Sequence, residues 1–254
     1  VVGVTGSVGK STTVSLLCEG LRAFSTTGFV GGNLGVPLAD YIFDVLDKGR
    51  PRADWVVLEL SSYQLESFKN LHCEIGVITY LTPNHMDRYN SLDLYYNSKI
   101  SLGQHCAKAV VINKNGGDLF GQTSSSPSFS APLFYTHFDD SFMKANHLTT
   151  CSLLGTHNLD NLAMSARVSE LAGWPSLAIK AMQKFPGLPH RLENLGVHEE
   201  ILFVNDSKAT TMESVLQAVR SLNPSCGKGR LVLLLGGKDK NLPWENLVEL
   251  ASLD

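Results

Sequence analysis

Short runs of apolar, mostly β-branched residues recur along the chain, at residues 1–5, 55–60, 75–81, 109–113, 201–205 and 231–235. Continuous apolar runs of this length, rather than alternating ones, are what strands covered on both faces produce. Between them lie stretches whose apolar residues fall three and four apart, at 11–23, 92–106, 158–172 and 212–222, which predict helices. Asn158 and Thr211 stand where helix N-caps are expected. Strand and helix in alternation predict an α/β fold with a mostly parallel sheet.

The segment Phe185-Pro186-Gly187-Leu188-Pro189 interrupts this rhythm, and beyond it the alternation begins afresh. The reading is therefore two domains, 1–186 and 187–254, the second a Rossmann-like α/β domain cut short. Residues 116–132, rich in serine, suit a solvated loop. The chain starts on what reads as a core strand, and residues 245–254 follow a helix-like pattern, so further pieces are expected at both ends.

Composition narrows the class. With 43% hydrophobic residues, 18% charged residues and a net charge of −3, the chain fits a soluble enzyme and gives no basic surface for nucleic acid. No apolar run is long enough for a membrane span. The five cysteines are scattered without C-x-x-C spacing, which points away from a zinc knuckle or a disulfide framework and toward a reducing compartment. The cytoplasm is the expected location, or a plastid stroma were the source a plant.

Chemistry enters with Gly3-Val4-Thr5-Gly6-Ser7-Val8-Gly9-Lys10-Ser11-Thr12, which follows a strand and opens a helix. That context predicts a phosphate-cradling loop, and with it a P-loop domain for the first part of the chain. Residues Gly6, Ser7, Val8, Gly9, Lys10, Ser11 and Thr12 would surround the phosphates of ATP, Lys10 reaching the outer ones and Ser11 offering its hydroxyl to Mg²⁺. The spacing is G-x-x-G-x-x-G-K-S; the strict pattern has glycine where Val4 stands. The loop alone fits a kinase, a GTPase, a motor or a ligase.

Glu59 ends the second apolar run, at the strand end where ligands gather in open α/β sheets. Its carboxylate reads equally as a metal ligand or as a solvated acid. His85, in Thr82-Pro83-Asn84-His85-Met86-Asp87-Arg88-Tyr89, stands beyond the third run, either as a loop histidine or as a ligand better suited to Mn²⁺ than to Mg²⁺. Lys99, on the following helix, by itself reads as a solvated lysine.

The loop at 6–12 is followed in order by Gly32-Asn33-Leu34-Gly35, Glu59-Leu60-Ser61-Ser62-Tyr63-Gln64-Leu65-Glu66 and Asn84-His85-Met86-Asp87-Arg88-Tyr89. Further on come Gly155-Thr156-His157-Asn158-Leu159-Asp160-Asn161, Leu188-Pro189-His190-Arg191-Leu192-Glu193, Asn205-Asp206-Ser207-Lys208-Ala209-Thr210 and Leu235-Gly236-Gly237-Lys238-Asp239-Lys240. This series resembles the Mur ligase family over nearly the whole chain, and residues 205–210 resemble its D-glutamate-adding branch.

The resemblance implies an ATP-dependent, acyl-phosphate-forming ligase that joins UDP-N-acetylmuramoyl-L-alanine to D-glutamate, acting as a monomer. It implies that Ser11, Glu59, His85 and Lys99 bind Mg²⁺ or Mn²⁺, Lys99 as a carbamate. It also implies that Asn161, Arg191 and Asp206 contact ATP, that Asn33, Ser61 and Gln64 face the muramoyl-alanine substrate, and that Lys208, Thr210 and Lys240 hold D-glutamate. Lys10, His85, Lys99, His190 and Lys208 form the implied catalytic set, His190 standing between that role and a hinge hydrogen bond. Two positions depart from the family: Val8 and Thr211 stand where asparagine is usual. A folylpolyglutamate-type ligase and a nucleotide-binding protein without ligase activity are the alternatives.

Overall fold

The computed structural model describes residues 1–86, 88–124, 129, 131–138, 143–144, 148, 151–210, 212–222, 230–237, 245 and 247–248. The chain divides into two compact units, Val1–Cys151 with Leu159–Phe185, and Ser152–Asn158 with Pro186–Asp254.

The first unit is built on six strands: β1 (Val2–Thr5), β2 (Phe29–Gly32), β3 (Val56–Glu59), β4 (Cys73–Ile78), β5 (Cys106–Asn113) and β6 (Leu133–Thr136). They form one parallel sheet in the order β2-β3-β1-β4-β5-β6. All four residues of β1 are buried, as a central strand covered on both faces requires. The chain leaves β1 toward β2 and β3 on one side and returns through β4 on the other. The direction of winding thus reverses at β1, and the crevice at its carboxyl end is where such sheets receive ligands. Register brings Val4 beside Glu59, and Thr5 beside Ile78.

Helices complete the first unit: α1 (Lys10–Arg22), α2 (Leu38–Leu46), α3 (Ser62–Ser67), α4 (Leu92–Ile100), α5 (Leu119–Ser124), α6 (Thr156–Ala172, whose first three residues fall in the second unit) and α7 (Ser176–Gln183). α1 buries Thr13, Val14, Leu16, Leu17 and Leu21, the three-and-four spacing that marks it in the sequence.

The expected helix over 92–106 is shorter, with a 3₁₀ turn at Ser101–His105 leading into β5. Residues 116–132 are not all loop, because α5 forms within them and fully buries Leu119. Asn158 is not a cap: it lies inside α6 and donates from Nδ2 to the Leu154 carbonyl at 2.7 Å.

In the second unit β7 (Glu193–His198) and β8 (Ile201–Asn205) form an antiparallel hairpin, followed by α8 (Met212–Leu222). The run at 231–235 does not form a strand. No strand among the described residues pairs with it, and Val232 and Leu234 are 80% and 88% exposed. Thr211 and Lys240 lie outside the described residues. Among the described residues no helix is long and apolar enough to cross a membrane.

Candidate functional site

The phosphate loop leaves β1 at Gly6, whose φ is 145°, and enters α1 at Gly9, whose φ is 89°. A Cβ at Gly6 would meet the Thr79 hydroxyl at 2.1 Å, and one at Gly9 would meet Asn161 Oδ1 at 2.8 Å. Glycine is needed at both positions, for conformation and for space. Thr79, just beyond β4, holds the loop through its hydroxyl, which donates to the carbonyls of Thr5 (3.2 Å) and Val8. The Ser7 hydroxyl donates to the Thr82 carbonyl at 3.0 Å and accepts from the Tyr95 hydroxyl at 3.0 Å. Lys10 folds back so that Nζ donates to the Gly6 and Ser7 carbonyls at 2.8 and 3.3 Å. Asn161, from α6, accepts from the Thr13 hydroxyl on α1 at 3.3 Å.

Glu59 closes β3 at 3% exposure. Its Oε1 accepts from Asn33 Nδ2 at 3.0 Å, while the buried Oε2 has no hydrogen-bond partner among the described residues. A buried carboxylate oxygen left in that condition carries a full desolvation penalty, which a divalent cation would offset.

Lys99 is 2% exposed, not solvated. Burial, reinforced by the positive charge of Lys10 and opposed by Glu59, pushes its pKa down to about 7. Its Nζ stands 4.8 Å from the centre of the Tyr95 ring, and the ring of His85 lies 5.9 Å from the same ring. His85 sits at φ 55° with Nδ1 3.3 Å from the Tyr63 hydroxyl. Tyr95 thus touches the phosphate loop, the histidine and the buried lysine, and its own hydroxyl is pushed up to about 12, chiefly by burial.

Oxygen donors and an imidazole fit a divalent ion, but an ammonium cannot ligate one. Among the described residues no three His, Cys, Asp or Glu side chains gather to hold a metal. In the candidate set of Ser11, Glu59, His85 and Lys99, the lysine can take part only once it has lost its positive charge.

Ser61 and Gln64, expected to face substrate, are engaged with each other. Ser61 Oγ accepts from the Gln64 N–H, and Gln64 Oε1 accepts from the Ser61 N–H at 2.9 Å, a capping box that starts α3.

The second unit carries its own cluster. Asn205 Nδ2 donates to His190 Nδ1 (2.8 Å) and Glu193 Oε2 (3.1 Å), and the Lys208 N–H reaches the His190 carbonyl. Asp206 Oδ1 accepts from the Leu192 N–H at 3.0 Å; burial raises its pKa against that bond and the nearby Arg191. Lys208 is exposed here, Thr210 ends the described segment, and Lys240 is outside it.

Thr79, which holds the phosphate loop, is a site position to which the sequence reading gave no role. For Thr79 a signal exists, since it ends an apolar strand at the same rim as Glu59 and the phosphate loop.

A glycine-rich loop between the central strand and its helix, with an acidic strand end beside it, defines a P-loop α/β domain. Residues 4–169 match the model of the Mur ligase middle domain, and the chain belongs to that family. It is 34% identical over 272 residues to a Myxococcus xanthus protein named UDP-N-acetylmuramoylalanine–D-glutamate ligase, covering 97% of this chain and 57% of the relative. The chain therefore spans little more than half the length of such relatives.

Among solved structures, a UDP-N-acetylmuramoyl-L-alanyl-D-glutamate–2,6-diaminopimelate ligase superposes with a TM-score of 0.61 at 23% identity, over 87% of this chain and 53% of that one. The Yersinia pestis folylpolyglutamate synthase/dihydrofolate synthase, complexed with AMPPNP and Mn, gives 0.60 at 15% identity, over 88% and 65%. At these identities the likeness shows the fold.

Proposed function

We propose that the chain carries the catalytic part of an ATP-dependent ligase that joins D-glutamate to UDP-N-acetylmuramoyl-L-alanine, in the cytoplasm and as a monomer. The observation that carries this reading is the 34% identity across 97% of the chain to a ligase of that name; residues 205–210 favour it over the folylpolyglutamate alternative.

A carboxylate is a poor acyl donor because its leaving group would be oxide. Transfer of the γ-phosphoryl of ATP to the substrate carboxylate gives an acyl phosphate, from which the neutral amine of D-glutamate displaces phosphate. The Gly6–Thr12 backbone, with Lys10, would hold the phosphates and offset their charge during transfer. Asn161, Arg191 and Asp206 would contact the nucleotide, and Asn33, with Ser61 and Gln64, the muramoyl-alanine. Lys208, Thr210 and Lys240 would replace water around the two D-glutamate carboxylates. His190 would orient groups near Lys208, whose backbone it already binds.

A divalent ion, held by Ser11, Glu59, His85 and Lys99, would supply charge neutralisation. Lys99 suits that role as a carbamate. With a pKa near 7 its amine is neutral often enough to attack dissolved CO₂, and the product exchanges an ammonium for a carboxylate-like ligand. Incubation with ¹³C-bicarbonate should give a carbamate carbon resonance that Lys99→Ala removes.

The deciding assay is phosphate release with UDP-N-acetylmuramoyl-L-alanine and each glutamate enantiomer. D-glutamate should support turnover, and Lys10→Ala should abolish it. Turnover with L-glutamate and a folate, and none with D-glutamate, would overturn the assignment.

A further inference from the structure

The turn carrying His85 is held from outside the site. Thr82 to Tyr89 leaves the sheet with His85 in the left-handed region, and the N–H groups of Arg88 and Tyr89 both close onto the His85 carbonyl, at 3.0 and 3.1 Å. Those two residues are in turn gripped by one carboxylate on α3: Arg88 donates to Glu66 Oε2 at 2.8 Å, and the Tyr89 hydroxyl donates to Oε1.

The arrangement is stacked as well as bonded. The Arg88 guanidinium lies 4.2 Å from the centre of the Tyr63 ring and 5.8 Å from that of Tyr89. Tyr63 precedes Glu66 by three residues, so both side chains leave the same side of α3. Tyr63 then reaches His85 Nδ1 with its hydroxyl. Helix, carboxylate, arginine and aromatic rings therefore converge on a residue whose backbone conformation is unfavourable unless its surroundings impose it.

We infer that Glu66 is a positioning residue for His85: by tying Arg88 and Tyr89 to α3 it fixes the turn that presents the imidazole to a divalent cation. The inference rests on the reading of His85 as a metal ligand. Glu66 acts only through the turn. A single carboxylate that accepts from both Arg88 and Tyr89 suits this task because its two oxygens can be engaged independently, and glutamine can reproduce the Tyr89 bond but not the charge opposite Arg88.

The test is Mn²⁺ affinity of the purified protein, followed by electron paramagnetic resonance, with circular dichroism confirming the fold. Glu66→Ala should weaken Mn²⁺ binding about tenfold, the scale on which groups supporting a ligand act, and Glu66→Gln by less. In a His85→Ala background, Glu66→Ala should cause no further loss, because there is no imidazole left to position. An equal loss in both backgrounds, or no loss in the otherwise intact protein, overturns the inference. Unchanged Mn²⁺ binding in His85→Ala alone overturns the metal reading and the inference with it. If Glu66→Ala does not fold, Glu66→Gln and Arg88→Met carry the same comparison.

Discussion

Lys99 is the residue whose environment contributes most to the chemistry proposed here and least to stability. A folded pKa of about 7, against 10.5 when solvated, means that between these values the unfolded chain holds a proton the folded chain has released. Stability therefore rises with pH across that window, and the full penalty of the buried charge is present below it. In buffer stripped of CO₂, Lys99→Met should raise the melting temperature below pH 7, with a gain of roughly 2–4 kcal/mol after allowing for water access. The gain should shrink as pH rises and vanish above the unfolded pKa; melts across the range check this.

The sequence could place Glu59, at the close of an apolar run, and Lys10, in a glycine-rich loop between such a run and a helical pattern. It could not show the burial of Lys99, which stands beside Tyr95 of its own helix and within reach of the charges of Lys10 and Glu59 from other elements. Nor could it show that Ser61 and Gln64 are spent on each other in a helix cap.

At the scale of elements, that cap and the second-unit hairpin both make measurable predictions. Gln64→Ala removes one half of the capping box and should destabilise the protein by about 1 kcal/mol in urea titration, so any loss of turnover must be corrected for it. The hairpin turns at Glu199-Glu200, with φ of 48° and 65°. Two consecutive positive φ values in a two-residue connection are the geometry that favours Asn-Gly. Glu199→Asn with Glu200→Gly should therefore stabilise the second unit by about 1 kcal/mol, read as a higher urea midpoint.

The same turn explains why β7 escapes sequence reading. Glu-Glu carries no turn signal, and Glu193–His198 mixes polar residues with a glycine at a register shift. β2 escapes because half of it is glycine, and β6 because Leu133–Thr136 has a single β-branched residue and follows directly on the serine- and proline-rich stretch. The strands that were legible, β1, β3, β4, β5 and β8, are apolar and β-branched. The run at 231–235 has the same pattern, yet among the described residues no strand pairs with it and it forms none.

For the molecule as a whole, the strand order sets the chemistry. Placing β1 between β3 and β4 aligns three carboxyl ends, so Glu59, the Gly6–Gly9 loop and Thr79 meet although they are far apart in sequence. The loop's helix, meanwhile, begins at Gly9 with no side-chain cap and no acidic residue in its first turn, leaving amides there that a helix normally satisfies with a neighbour's oxygen. In deuterium exchange, the amides of Ser11 and Thr12 should turn over quickly in the free protein. That of Thr13, already bonded to the Gly9 carbonyl, should be slow. Adding a nucleoside triphosphate should slow the first two and leave the third nearly unchanged, so that one helical turn reports, residue by residue, whether an anion has taken the place of the absent cap.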